Sequence, residues 1–360
     1  VPDGRCVPGT FSSTDEYLAI ADGMNDAGGG LFQAVLDFDT KAGHEFGLLK
    51  AMAERGGDVL FSSGVGTATS GGDMRVVDMW DKFFSETRSE HGRITGITMT
   101  RPSGTLMGLV QVPPVRGKAW AALMALPTVA DRVSAMRDPA RRADLIAEGQ
   151  RKGLWYDPHH VYPLGTGPTP DYNIVDGRSV ADLAAEAGVS PIELMVERLL
   201  ESDGRELFNV WFFNRHTEAL AEFLKLDGIV PGLGDAGAHA GQICDADATT
   251  HYLGYWRRER GLVSLEEAVR NLTSKPASVL GLADRGVLVA GSYADINVFD
   301  ADAVDVAYPE YANDFPGGKG RLLVRSRGYA ATLVNGEVVT EQGRHTGHRP
   351  GRVLREFSRG

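Results

Sequence analysis

Short apolar runs alternate with helix-patterned segments over the first hundred residues, and this alternation restricts the fold more than any other feature of the chain. Leu31–Asp37, Asp58–Ser63 and Ile94–Thr98 have the length and apolar content of buried strands, with helical patterns at Glu45–Glu54 and Met74–Ser89 between them. Strands that alternate with helices form βα units, so an α/β fold on a parallel sheet is predicted. Farther along, Leu207–Phe213 and Gly228–Leu233 flank the helical pattern Thr217–Leu226 and read as another such unit. In parallel α/β folds ligands bind on the loops that follow the strands, which directs attention to whatever comes after Leu233.

The stretch from 102 to 173 breaks the alternation. It holds helical patterns at Lys118–Leu126 and Ala130–Gln150, then a proline-rich loop, Asp157–Asn173, with His159, His160, Tyr162 and Tyr172. We take it as an insertion or an elaborated βα loop, and the Asp157–Asn173 loop is of a length that is often functional. Helices follow at Ser179–Ala187 and Ser190–Ser202; Ser190-Pro191-Ile192-Glu193 has the capping serine, the proline at the first helical position and the glutamate three residues on. Ser264–Leu272 and Ser274–Leu280 supply further helices. From Gly286 the pattern becomes short β-type runs, Val287-Leu288-Val289, Ala294–Phe299, Tyr329–Val334 and Val338-Val339, with Asn335-Gly336 as a hairpin signal. Two units are expected, 1–285 and a β-rich module at 286–360.

The chain's 360 residues suffice for one large α/β domain, commonly about 250 residues, plus an appendage. Its 37 Lys and Arg against 48 Asp and Glu give a net charge of −11, which argues against nucleic acid as a partner. The longest nearly apolar run, Ala119 to Ala130, contains Pro127 and falls short of the roughly 18 residues of a membrane span. Two cysteines, Cys6 and Cys244, make no disulfide framework, and no secretion signal is visible, so the expected compartment is cytoplasmic. Val1-Pro2-Asp3-Gly4 reads as a turn within a longer protein, so a fragment or processed product is expected.

The candidate chemistry lies just after the last strand pattern, in Gly234-Asp235-Ala236-Gly237-Ala238-His239. A carboxylate at a strand exit, followed by small residues that let a ligand approach the backbone, can bind a cation or carry a proton. By spacing alone, Asp235 is equally readable as a loop cap. His239, Cys244 and Asp245 make the loop rich in metal-ligand types, yet a lone histidine after a strand also serves as hydrogen-bonded structure, and Cys244 reads as a buried thiol. Arg101, after Ile94–Thr98, stands where it could hold a substrate carboxylate in a bidentate pair, or form a surface salt bridge. His44, His91, His216 and His251 stand alone and are expected on solvated surface, as are His345 and His348; neighbouring side chains at His159-His160 point to opposite sides of an extended segment. Gly64–Gly72 matches neither a phosphate loop nor a dinucleotide fingerprint.

The run Gly-Asp-Ala-Gly-Ala-His-Ala-Gly-Gln-Ile-Cys-Asp-Ala from Gly234 to Ala246 resembles the last barrel strand and loop of the N-acyl-D-amino-acid deacylase (D-aminoacylase) group of the amidohydrolase superfamily. Val7-Pro8-Gly9-Thr10-Phe11, Arg101-Pro102 with Gly104 and Gly108-Leu109, Leu265-Glu266-Glu267-Ala268-Val269, and Asp284-Arg285-Gly286 with Ala294-Asp295 and Asp300 resemble that group in the same order, as far as Pro350-Gly351-Arg352. The resemblance implies a partial or complete TIM-like (β/α) barrel of the metal-dependent hydrolase type with a small C-terminal β-sandwich module. It also implies a divalent metal, zinc by preference, with Asp235 as ligand or catalytic base, and a small N-acyl amino acid or related amide as substrate; His239, in the same loop, is the further candidate ligand. Members of the group carry an early His-x-His motif, which this chain lacks, so it is expected to start midway through the barrel. Two alternatives stand beside amide cleavage of N-acyl amino acids: action on a cyclic amide or urea-like group, and an incomplete or non-catalytic barrel that needs a partner or a missing N-terminal portion, or assembles as a homo-oligomer.

Overall fold

The computed structural model describes Cys6, 11–35, 42–66, 74–87, 92–172, 178–232, Gly234 and 236–355. The predicted alternation folds as a parallel sheet in which β1 (Leu31–Ala34), β2 (Asp58–Ser62) and β3 (Ile94–Thr98) lie side by side, with Ile229–Pro231 against the far edge of β3. The helices α1 (Thr14–Asp26), α2 (Ala42–Glu54) and α3 (Met74–Glu86) connect or precede these strands. In α3, Val77, Trp80 and Phe83 recur every third residue and are buried, which turns one stripe of the helix onto the sheet. The stripe meets Phe61 of β2, whose ring stacks on Trp80 at 5.4 Å, and Phe46 of α2, 4.7 Å from Phe83. Aromatic pairs of this kind add about 0.5–1.5 kcal/mol beyond their buried area.

The stretch after β3 builds a second layer of structure. β4 (Ser103–Met107), β5 (Val161–Pro163) and β6 (Phe208–Phe213) form an antiparallel sheet in the order β4-β6-β5. The expectation of a βα unit at Leu207–Phe213 is therefore corrected: the strand is there, but its partners are antiparallel. An apolar run has no direction written in it, and the two partner strands are short and carry Gly104 and Pro163, residues that weaken a strand pattern. Helices α4 (Lys118–Met124), α5 (Val129–Arg137), α6 (Pro139–Lys152), α7 (Val180–Ala187) and α8 (Pro191–Glu201) cover this sheet. Asp138, capping α6, and Pro139 at its first position divide what reads as one helix into two. At α8 the expected capping box is complete, with Glu193 accepting the Ser190 N–H at 2.7 Å.

The chain returns through α9 (Thr217–Leu224) to β7, the strand Ile229–Pro231. Beyond the loop that follows come α10 (Ala248–His251), a π-helical segment (Tyr252–Glu259), α11 (Leu265–Leu272) and α12 (Ser274–Val279). The C-terminal region is β-rich as expected. β8 (Ile296–Phe299), β13 (Tyr329–Val334), β14 (Glu337–Glu341) and β15 (Arg344–His345) make one antiparallel sheet, while β9 (Asp305–Val306) pairs β12 (Ser326–Arg327) and β10 (Glu310–Phe315) pairs β11 (Lys319–Leu323). Asn335 and Gly336 both have positive φ, 49° and 85°, as the two-residue turn between β13 and β14 requires. Val287-Leu288-Val289 is not a strand, and Leu288 is 79% exposed. Among the described residues the parallel sheet has four strands, and no helix is long and apolar enough to cross a membrane.

Candidate functional site

The backbone beyond β7 is held from several directions. Gly232 still follows β3, donating its N–H to the Thr98 carbonyl at 2.8 Å. Two residues later Gly234 lies so close to the returning chain that a Cβ there would come within 2.7 Å of the Asp245 carbonyl oxygen. Between them the loop folds back on itself, with the Gln242 and Ile243 N–H groups bonded to the His239 carbonyl at 2.6 and 3.1 Å. It is also tied outward: Leu106 of β4 donates to the Gln242 carbonyl and Leu322 of β11 to the Ala240 carbonyl, each at 2.8 Å. Leu106, Leu164, Leu207, Cys244, Val306 and Leu322 close an apolar cluster around it. Gly234→Ala forces an oxygen out of its place, and overpacking of this kind costs about 1–3 kcal/mol. A thermal melt checks this; an unchanged midpoint would mean that the loop yields at that point.

Of the residues singled out in the sequence, Asp235 lies outside the described residues. His239 is exposed, at a φ of 46° in the turn. Arg101 goes inward instead of into solvent. It is 2% exposed, and its Nη2 donates to Asp247 Oδ1 at 2.8 Å, Asp245 Oδ1 at 3.0 Å and the Cys244 carbonyl at 2.9 Å, while Nε reaches Asp247 Oδ1 at 3.2 Å. Nη1 donates to the Pro102 carbonyl, and the guanidinium lies 3.8 Å from the centroid of the Tyr172 ring. Ser103 completes the arrangement with a hydrogen bond to Asp245 Oδ2 at 2.8 Å. Burial alone would favour loss of the Arg101 proton, but Asp247, Tyr172 and Asp245 outweigh it and raise the pKa. The ion pair is thus a buried strut that fastens the loop to the exit of β3. Nothing near Arg101 in sequence announces the two carboxylates; the Asp-Ala-Asp spacing at 245–247, which points both acids back at one partner, is the signal that could have found them.

The described residues among these do not assemble a metal centre. β2 and β3 end in Ser62-Ser63 and Thr98-Met99-Thr100, which carry hydroxyls where imidazole or carboxylate ligands would be needed. Cys244, a buried thiol as expected, has its pKa pushed up to about 12 by burial and then by Asp247, which opposes the thiolate a metal requires. Among the described residues no three His, Cys, Asp or Glu side chains come together. The expected ligand set of Asp235 and His239 gains no third member from this group.

A second cluster sits over the exits of β2 and β3. Asn214, buried and at a φ of 56°, accepts the Val65 N–H at 3.0 Å and donates to Thr98 Oγ1 at 3.2 Å and the Met99 carbonyl at 2.8 Å. Left-handed backbone is tolerated by asparagine better than by most residues. Next to it, Arg215 donates from Nε to the Trp211 carbonyl and from Nη1 to His160 Nε2, both at 3.0 Å. His160 is held neutral, its pKa lowered by burial and then by the Arg215 charge. The ring of Tyr162 stacks on Trp211 at 3.9 Å.

His251 corrects the expectation of a solvated surface histidine, being 3% exposed and stacked on Tyr255 at 5.2 Å. It closes α10 just where the widened helical register begins, so ordinary helical periodicity around it misplaces its face. Burial, then the nearby Arg101 charge, lower its pKa to about 3, against a hydrogen bond to the Thr100 backbone. The folded pKa lies below the ordinary 6.5, so the unfolded chain takes up the proton first and stability falls as the pH drops below 6.5. At about 1.4 kcal/mol per pH unit, wild type loses about 2 kcal/mol between pH 7 and 5 that His251→Gln does not. Urea midpoints at the two pH values check this, and equal slopes for both proteins would refute it.

Residues 164–340 match the Amidohydrolase family. Over 106 residues the chain is 44% identical to an N-acyl-D-glutamate deacylase from Alcaligenes xylosoxydans xylosoxydans, covering 29% of this chain and 20% of that protein. A D-aminoacylase from the same organism is 39% identical over 103 residues, 28% of this chain and 19% of the relative, so the matches span about a fifth of these relatives' length. Among solved structures, D-aminoacylase has a TM-score of 0.55 at 20% identity, covering 98% of this chain and 61% of that one. The zinc- and phosphonate-bound N-acyl-D-glutamate deacylase of Bordetella bronchiseptica gives 0.53 at 20% identity, over 97% and 60%. The fold is that of the D-aminoacylase structures, and residues 164–340 match the amidohydrolase family, with N-acyl-D-amino-acid deacylases among the proteins the chain is similar to.

Proposed function

We propose that this chain is the part of a hydrolase that cleaves the linear amide of N-acyl amino acids, of D configuration, at the face where β2, β3 and β7 end. The observation that carries the reading is the clamped Gly234–Asp247 loop at the exit of β7, in a chain whose relatives are deacylases of N-acyl-D-amino acids. Strand exits of parallel α/β folds are where ligands bind. In this reading the sheet is a portion of a (β/α) barrel, 1–285 is the catalytic unit, and 286–360 is the module that braces the loop through Leu322. Asp235 serves as the proton carrier: as a carboxylate it accepts a proton from the attacking water, and as the acid it returns that proton to the departing nitrogen. An oriented proton transfer needs its carrier at a fixed place, and the ties at His239, Ala240 and Gln242 hold the loop that carries this residue. The purified chain, assayed with N-acetyl-D- and N-acetyl-L-amino acids, is expected to release free amino acid from the D series; release from neither series would refute the proposal.

A further inference from the structure

A substrate of this class carries a carboxylate beside its amide, and Arg101 has given its charge to Asp245 and Asp247. Arg325 and Arg327, which line a cavity with Ala246 on the loop's other flank, are paired with Glu310 and Asp305. We infer that Arg215, oriented by His160, is the anchor for the carboxylate of the N-acyl amino acid, an inference that rests on the amide-hydrolase reading for its ligand but not for its geometry.

Asn214 sets Arg215 over the strand exits, because its side chain spans Val65 after β2 and Thr98 and Met99 at the end of β3. The Arg215 N–H also reaches the Gly66 carbonyl, at 3.4 Å. A guanidinium only donates, so His160 Nε2 must accept from it, and the pair carries one positive charge, not two. No carboxylate among the described residues lies in ion-pair reach of Arg215; the neighbouring acid, Asp157, is engaged by His159 at 2.9 Å. Arg215 is half-buried and its Nη2 makes no hydrogen bond within the described residues, which leaves one edge of the planar fork for an anion. Arginine in that situation matches a carboxylate in both charge and shape. Beside it the stacked Tyr162 and Trp211 give an apolar wall, and the Trp211 indole N–H, on a side chain 3% exposed, has no hydrogen-bond partner among the described residues. Cation, aromatic wall and spare donor together suit the carboxylate end of an acylated amino acid.

The test measures binding of N-acetylglycine and of its uncharged amide, N-acetylglycinamide, to the whole chain by ligand-observed NMR. Wild type is expected to prefer the acid, and Arg215→Met to lose about tenfold or more in affinity for the acid with no change for the amide. Arg215→Lys, which keeps the charge but not the fork, is expected to lose a smaller part, and it keeps the test decisive if the methionine variant does not fold. The His160 ring nitrogens are expected to shift on adding the acid and not the amide. A wild type that binds acid and amide alike, or an Arg215→Met variant that weakens both equally, overturns the anchor. Arg215-dependent acid binding without hydrolysis of any N-acyl-D-amino acid supports the anchor and overturns the hydrolase reading alone.

Discussion

Asp235→Asn is expected to lower turnover of an N-acyl-D-amino acid by about 10²- to 10⁴-fold, the usual contribution of a positioned proton carrier, while the melting temperature stays within about 1 °C of wild type. The amide keeps the size and accepting oxygen of the carboxylate but cannot take up a proton and give it back. The competing description of Asp235, a loop cap, makes the opposite forecast: asparagine caps as well as aspartate, so neither activity nor stability should move, whereas Asp235→Ala would cost about 1 kcal/mol of stability. Measuring kcat and the melting temperature for the two variants separates these outcomes. Full turnover by Asp235→Asn would remove the residue from the chemistry.

Arg101→Met is expected to produce the largest loss of stability in the molecule. Removing one partner of a buried ion pair leaves the other charge without compensation and costs about 3–5 kcal/mol. Here two carboxylates are stranded, Asp245 and Asp247, each no more than 3% exposed. For a domain of this size that corresponds to a fall on the order of 10 °C in melting temperature. Burial pushes the Asp247 carboxyl up from its ordinary value and Arg101 opposes this, so loss of the arginine leaves burial unopposed. The triple variant Arg101→Met, Asp245→Asn, Asp247→Asn, which removes all three charges, is therefore expected to recover more than half of the loss. Thermal melts of the two variants check this; an Arg101→Met protein that melts with wild type would show that the strut holds nothing.

The parts of this molecule that could be read from the sequence are those with local causes. Ile94–Thr98 is a strand over the same residues that the pattern marks, and Ser179, Ser190 and Ser264 cap the helices they introduce, because strand burial and capping act over a few residues. Asn335-Gly336 makes its turn for the same reason. The antiparallel sheet was not legible, since β4 is defined by pairing with β6, about a hundred residues away, and Gly104 hides it. The partners of Arg101 were hidden for a like cause: its position after a strand suggested a substrate carboxylate, and the carboxylates it meets, 144 and 146 residues on, are those of the chain itself. Asn214 and Arg215 carried no sequence signal, because left-handed backbone at a non-glycine residue is a consequence of the surrounding contacts. At the site, residue types were readable but partnerships were not.

The ties of the Gly234–Asp247 loop also set an order in time. Its anchors are Arg101, Leu106 and Leu322, so the loop has nothing to close against until segments more than two hundred residues apart have each found their own sheets. Contacts of such sequence separation form slowly, because the loop-closure entropy is lost before they contribute anything. Refolding followed at the loop should therefore lag behind refolding followed at the α3 aromatic cluster, and a chain interrupted before residue 322 would hold its parallel sheet while the site above it remained unmade.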